Sequence, residues 1–154
     1  MTLKRILFLP SSLLTGFIIS TQTLSAQVVE PDEHDFMVAT PAQLHPADGS
    51  IRTVIYGDPS KSSIYVMQIT WPPGRGSQPH YHNQARYINV LSGTWYVHIG
   101  PESSTYNPDA MTAVEAGTFI YQPPNGYHYD MAKDEEVVMQ IFGMGPVVTT
   151  MIPQ

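Results

Sequence analysis

The chain contains no cysteine among its 154 residues. Disulfide bonds, thiolate nucleophiles and cysteine-based zinc sites are therefore excluded, and packing and hydrogen bonds must stabilise the fold. Basic residues are also scarce, because 7 Lys and Arg stand against 13 Asp and Glu and give a net charge of −6. Nucleic acid and anionic membrane surfaces repel an acidic chain, so we expect neither as a partner.

The first 26 residues have the layout of a secretory signal peptide. Lys4 and Arg5 precede a largely apolar run over residues 6–19, and a short polar stretch ends at Ala26. The run is short for a membrane span, since a helix needs about 20 apolar residues to cross a bilayer. We expect cleavage near Ala26 and a periplasmic or secreted mature protein that is not held at a membrane. An uncleaved N-terminal anchor is the alternative.

The rest of the chain alternates short β-branched and aromatic runs with Gly, Pro, Asn and Asp. The regular spacing of these runs predicts an all-β fold, either an antiparallel sandwich or a small barrel. We assign residues 27–49 to an N-terminal arm with one short helix near 40–44, and residues 50–154 to the barrel domain. The predicted strands are 53–56, 64–70, 87–91, 94–99, 117–122, 128–131, 137–142 and 147–151, with a loop over 100–112.

Two histidines one residue apart, His80 and His82, are the strongest functional signal. On a β-strand they point to the same face, with Cα atoms roughly 7 Å apart. His128, from a distant strand, would complete a site of three nitrogens with open positions for water or substrate. Neutral imidazoles suit a divalent transition metal, so we expect Zn, Fe, Mn, Ni or Cu.

The spacing of glycine and proline around these histidines resembles the cupin superfamily, and in particular its small exported single-domain members. The resemblance covers about residues 50–150. The residues that carry it are Gly74, His80, His82 and Gly93 in the first cupin motif, and Gly117, Pro124, Gly126 and His128 in the second. It implies a double-stranded β-helix, a jelly-roll barrel of six strands in two sheets. It also implies that His80, His82 and His128 are metal ligands on the inner face.

Arg86 stands where the cupin motif has a glutamate, with six residues between it and Gly93. On a regular strand Arg86 shares the face of His80 and His82. For a divalent ion roughly 6 Å from the guanidinium, an effective dielectric near 20 gives a repulsion of about 5 kcal/mol. Arg86 could therefore turn away to pair with an acid, bind an anionic ligand beside the metal, or leave the site without a metal. The candidate acids are Glu115, Asp130 and Glu136.

We therefore expect an exported barrel that binds a divalent metal and binds or acts on a small organic molecule, with an anionic ligand as one option. Arg86 and Gln140 are the candidate catalytic residues, although Gln140 fits a hydrogen-bonded core amide equally well. The reaction class stays open among oxygenase, isomerase and hydrolase. The alternative function is metal-free binding or sensing of a small molecule without catalysis. Exposed edge strands are also compatible with a homodimer.

Overall fold

The computed structural model describes residues 29–45 and 48–154. The predicted signal peptide, residues 1–26, lies outside the described residues, so cleavage and export stay predictions. No helix within the described ranges is long and apolar enough to cross a membrane. One short α-helix, α1 at Pro41–Leu44, lies in the arm as the sequence predicts.

The described residues form ten strands, and neighbouring strands in both sheets run antiparallel. The strands are β1 Arg52–Tyr56, β2 Ile64–Trp71, β3 His80–His82, β4 Arg86–Ser92, β5 Thr94–Ile99, β6 Thr112–Glu115, β7 Phe119–Gln122, β8 His128–Ala132, β9 Val137–Met144 and β10 Thr149–Met151. One sheet has the order β1-β2-β9-β4-β7, and the other has the order β10-β3-β8-β5-β6. The predicted all-β, two-sheet architecture is confirmed. The expected number of six strands is wrong, because both sheets have five.

The core lies between the two sheets and follows the two-residue period of the strands. In β9, for example, Val137, Met139 and Ile141 are buried in the core, while Val138 and Gln140 between them face the other way. The remaining buried core residues are Tyr65, Ile69, Ile88, Val90, Trp95, Val97 and Ala132. The inner face is therefore largely apolar, and any polar group that it carries needs a partner there.

The N-terminal arm packs on the outer face of the first sheet. Gln68, which is buried on the outer side of β2, donates from Nε2 to the carbonyl oxygen of Leu44 at 2.7 Å. The helix itself begins with a local cap, in which the Thr40 backbone N–H donates to the Gln43 side chain at 2.9 Å. The arm thus covers part of the barrel from outside and leaves the inner face to the strands.

Two strands, β3 and β6, were not among the predicted segments. β3 has three residues and no β-branched side chain, so its sequence carries no strand signal of its own. It is held by pairing, since Thr149–Met151 of β10 lie opposite His82–His80 on one side and His128 of β8 lies opposite His80 on the other. β10 is the edge strand of this sheet. Tertiary pairing therefore decides the conformation of the segment that carries the histidine pair.

Candidate metal centre

The structure brings His80, His82 and His128 together on the inner face of the second sheet. The two β3 histidines share a face because Tyr81 between them points the other way, and His128 is the direct cross-strand partner of His80. All three are buried, with exposed fractions of 6%, 6% and 2% in chain order. The ring centroids lie 4.9 Å apart for 80–82, 4.2 Å for 80–128 and 5.2 Å for 82–128.

Backbone carbonyls fix the orientation of two of the rings. Nδ1 of His80 lies 2.7 Å from the Gln78 oxygen, and Nδ1 of His128 lies 2.8 Å from the Gly126 oxygen. A carbonyl can only accept, so Nδ1 carries the proton in both rings and Nε2 keeps its lone pair. This is the arrangement in which a histidine is ready to bind a metal through Nε2.

His82 is oriented by a side chain instead of a carbonyl. Its Nδ1 lies 3.0 Å from the hydroxyl oxygen of Thr149 on β10. Its Nε2 is buried and has no hydrogen-bond partner in the described part of the protein. A buried nitrogen without a partner costs free energy, so this atom is the clearest sign of a missing ligand.

Burial also keeps the three imidazoles neutral. It is the main cause that lowers the pKa of His82 to about 2, and the Arg86 charge lowers it further. Burial likewise lowers the pKa of His128 to about 3, followed by the effects of His80 and Arg86. The pKa of His80 is lowered for the same main reason. Protons therefore do not compete with a cation for these nitrogens at neutral pH.

The donor set fits a divalent transition metal. The candidate ligand atoms of His80, His82 and His128 all lie within 4.8 Å of one another. Around a tetrahedral ion with metal–nitrogen distances near 2.0–2.1 Å, nitrogens are roughly 3.3 Å apart. Shifts on the order of 1 Å would therefore complete the coordination, with a fourth position left open.

Arg86 lies beside this cluster and contacts it directly. It is the cross-strand partner of Gln122 on β7, so both side chains project from the same face. Nε and Nη2 of Arg86 donate to Gln122 Oε1 at 3.0 and 2.6 Å, and Nη2 lies 3.3 Å from His128 Nε2. Burial lowers the pKa of Arg86 to about 10, so the guanidinium stays charged at neutral pH.

Of the three alternatives for Arg86, an ion pair with an acidic side chain is not found among the described residues. The contacts at ion-pair distance found among residues 29–45 and 48–154 join His34 to Glu33 and His45 to Glu136, and Arg86 takes part in neither. Glu136 is thus engaged outside the barrel, and Glu115 is exposed on β6. Asp130 is closer to the interior but acts on Arg86 only at longer range than an ion pair. A neutral amide, Gln122, is the partner that the fold supplies.

Asp130, which the sequence suggests only as a possible partner of Arg86, and Tyr65, which it does not single out, both lie in the interior near the site. Asp130 follows His128 by two residues on β8, so it shares the inner face, and its Oδ1 is buried without a hydrogen-bond partner in the described ranges. Burial raises the pKa of Asp130, while His80 and Arg86 oppose that rise.

Tyr65 is fully buried on β2 and lies against Gly143 of β9. A methyl group at position 143 would come 2.7 Å from the Tyr65 hydroxyl oxygen. Because Gly143 is also the cross-strand partner of Arg86, the phenol lies close to the guanidinium. Burial raises the pKa of Tyr65, and the Arg86 charge lowers it in part.

Gln140, the second catalytic candidate from the sequence, lies outside the site. It faces away from the core residues of β9, and its cross-strand partners are Gln68 and Asn89. Since Gln68 bonds to the N-terminal arm, this face is the outer one. The structure therefore contradicts the placement of Gln140 in the pocket, and Gln122 is the amide that lies beside the histidines.

Comparison with known proteins supports the fold. No protein-family model matches the chain, and no curated protein matches it significantly. Among solved structures, a protein with a double-stranded β-helix domain from Klebsiella pneumoniae is 20% identical with a TM-score of 0.54, over 71% of this chain and 90% of that one. A cupin-2 domain from Rhodospirillum rubrum is 18% identical with a TM-score of 0.54, over 67% and 64%.

A DMSP lyase from Ruegeria pomeroyi shares the same fold. It is 12% identical to this chain, with a TM-score of 0.53 over 65% of this chain and 50% of that one, so the match spans half of the lyase. Likeness at these identities concerns architecture and leaves function open. The two antiparallel sheets, the inward-facing histidines and these neighbours agree: the chain has a double-stranded β-helix fold like that of these solved structures.

Proposed function

We propose that this protein is a metal-dependent cupin that binds a small anionic molecule inside its barrel and acts on it. The observation that carries the proposal is the buried His82 Nε2, which has no partner among the described residues. It belongs to a cluster of three histidines whose candidate ligand atoms all lie within 4.8 Å of one another. A divalent ion held there would supply Lewis acidity, either by polarising a carbonyl group or by activating bound water. The fold that the chain shares with a DMSP lyase is compatible with chemistry on a small molecule.

The anionic character of the ligand follows from the charges around the histidines. Arg86 is a partly buried cation whose hydrogen-bonding partner, Gln122, is neutral. A buried charge without a counter-charge is costly, and a carboxylate is well suited to the planar fork of a guanidinium. An anion in the barrel could thus accept hydrogen bonds from the Arg86 guanidinium, whose present partner is a neutral amide.

The direct test is the metal content of the protein, purified without a chelator or a polyhistidine tag and then reconstituted with Zn²⁺ in acetate buffer. We expect on the order of one equivalent of transition metal per chain after gel filtration, because three neutral imidazoles form a sufficient donor set. Content below about one-tenth of an equivalent after reconstitution would contradict the proposal.

The contact between Thr149 and His82 gives a second prediction. Replacing Thr149 by valine removes the hydroxyl group that orients the His82 ring and keeps the shape of the side chain. We expect zinc affinity to fall about tenfold, as is typical when an outer partner of a ligating histidine is lost. Zinc titration against a chromophoric chelator measures this change.

Thr150→Val is the matched control for this substitution. Thr150 is the next residue of β10, is exposed, and pairs with Tyr81 rather than with a histidine. Its zinc affinity should stay within about twofold of the wild type, since an outer-shell effect requires contact with a ligand. Equal losses in both variants would show that the strand, and not the hydroxyl, sets the affinity.

A second candidate function is metal-free binding of an anion. It is favoured by the contact of Arg86 with His128 Nε2, because a guanidinium already lies at one of the ligand atoms. In that case reconstitution leaves the protein without metal, and acetate binding does not depend on His82. The metal analysis above separates the two functions.

A further inference from the structure

The guanidinium of Arg86 contacts His128 Nε2, a nitrogen that a metal would need as a ligand. We propose that Arg86 and the metal compete for His128, and that a carboxylate ligand removes the competition, so that metal and carboxylate bind cooperatively. This inference rests on the proposed function, since it presumes that the three histidines bind a metal.

The competition follows from the hydrogen bonds of His128. Its Nδ1 proton is used by the Gly126 carbonyl, so Nε2 has a single lone pair to offer. A guanidinium can only donate, and Arg86 Nη2 lies 3.3 Å from that nitrogen. The same lone pair cannot accept this hydrogen bond and bind an ion. Metal binding therefore requires Arg86 to leave His128.

The position of Arg86 is fixed by the sheet and is not that of a mobile surface side chain. Arg86 lies opposite Gln122 in the β4–β7 pairing, and two of its N–H groups converge on one amide oxygen. The Gly143 position on the other side has no side chain to displace it. Without a ligand, the fold thus holds the guanidinium against the histidine cluster.

A carboxylate changes this balance because it interacts favourably with both cations. Without it, a bound ion about 2 Å from His128 Nε2 would lie within roughly 5 Å of the Arg86 charge, and the two would repel. In the described part of the chain no acidic side chain lies within ion-pair distance of Arg86 to offset that repulsion. A ligand carboxylate supplies the missing charge and accepts the N–H groups that Arg86 withdraws from His128. By linkage, each partner then strengthens the binding of the other by the same factor.

The test is a Zn²⁺ titration against a chromophoric chelator, with acetate as the probe and acetamide at equal concentration and ionic strength as the neutral control. For the wild type we expect saturating acetate to tighten zinc binding by about tenfold or more, and acetamide to have no effect. In Arg86→Gln, zinc should bind about 100-fold more tightly than in the wild type without acetate, and the acetate effect should fall below about twofold.

Two further variants make the result decisive. Arg75→Gln removes the same charge from an exposed residue and should change zinc affinity less than about threefold. Gln122→Glu places a carboxylate against Arg86 with almost no change of shape, so it should tighten zinc binding by about tenfold and abolish the response to acetate. If circular dichroism shows that Arg86→Gln does not fold, Gln122→Glu decides the question.

The outcomes separate this inference from the proposed function. Zinc binding that is absent in every variant would end the proposed function, and this inference with it. Equal zinc affinity in the wild type, Arg86→Gln and Gln122→Glu would overturn the competition and leave the metal site standing. Tighter binding in the variants without an acetate effect in the wild type would overturn the cooperativity.

Discussion

Replacing His82 by alanine is expected to abolish the stabilisation that zinc gives to the folded domain. A ligand that binds only the native state stabilises it by about 2.7 kcal/mol at a free concentration of 100 times its Kd. His82→Ala removes the imidazole whose Nε2 has no protein partner in the described ranges and leaves two ligands on one cross-strand pair. At the zinc concentration that stabilises the wild type, the variant should gain less than about 0.5 kcal/mol.

The measurement is chemical denaturation of each protein with and without zinc in acetate buffer, so that each variant is compared with its own metal-free form. His34→Ala is the matched control, because His34 is an exposed histidine of the N-terminal arm. It should keep the full zinc effect. Loss of stabilisation in the control, or its persistence in His82→Ala, would place the zinc-binding site elsewhere.

Replacing Gly93 by alanine is expected to cause the largest loss of stability among the motif glycines. Gly93 has a φ of 74°, a conformation that costs an L-residue roughly 1–2 kcal/mol. A Cβ atom there would also lie 2.3 Å from the backbone oxygen of Glu136. The opposing group is backbone and cannot rotate away, so the strands must separate. We expect a total loss of about 3 kcal/mol or more, measured by urea denaturation.

Gly74→Ala is the matched control for the second effect. Gly74 has nearly the same φ, 75°, but no atom lies within 4 Å of the Cβ position. Its cost should be the conformational term alone, about 1–2 kcal/mol. A loss as large as that of Gly93→Ala would mean that the left-handed conformation, and not the close approach, is what the motif requires.

Much of the barrel could be predicted because its long strands carry their own signal. β2 and β9 combine β-branched and aromatic residues over eight positions, and the Ser92-Gly93 turn between β4 and β5 is marked by its glycine. β3 and β6 could not be predicted, because they are short and depend on pairing with strands far away in the chain. Local sequence does not carry that information.

The candidate site likewise combines features that the local sequence predicts with features that depend on strand pairing. His80 and His82 are expected on one face only if their segment is a strand, and that conformation comes from pairing with β10 and β8. The third histidine follows from the cupin resemblance. The partner of Arg86 depends on the register between β4 and β7, which no local pattern specifies.

Gln140 is a pocket candidate from the sequence because its neighbours on the same face, Val138 and Phe142, are apolar. Val138 and Phe142 on one face resemble Val137 and Met139 on the other, so periodicity alone does not tell which face is inside. The distinction comes from the arm that covers the outer face, and only the folded chain shows it.

The short edge strand β10 bears on how fast a cation could enter or leave the cluster of His80, His82 and His128. Edge strands are among the parts of a sheet that open locally at the lowest free energy, well below global unfolding. Because the Thr149 hydroxyl of β10 orients the His82 ring, transient fraying of these three residues would remove that hydrogen bond while the rest of the barrel stays folded. If the three histidines hold a cation, as we propose, it should exchange faster while this strand is detached than while it is paired.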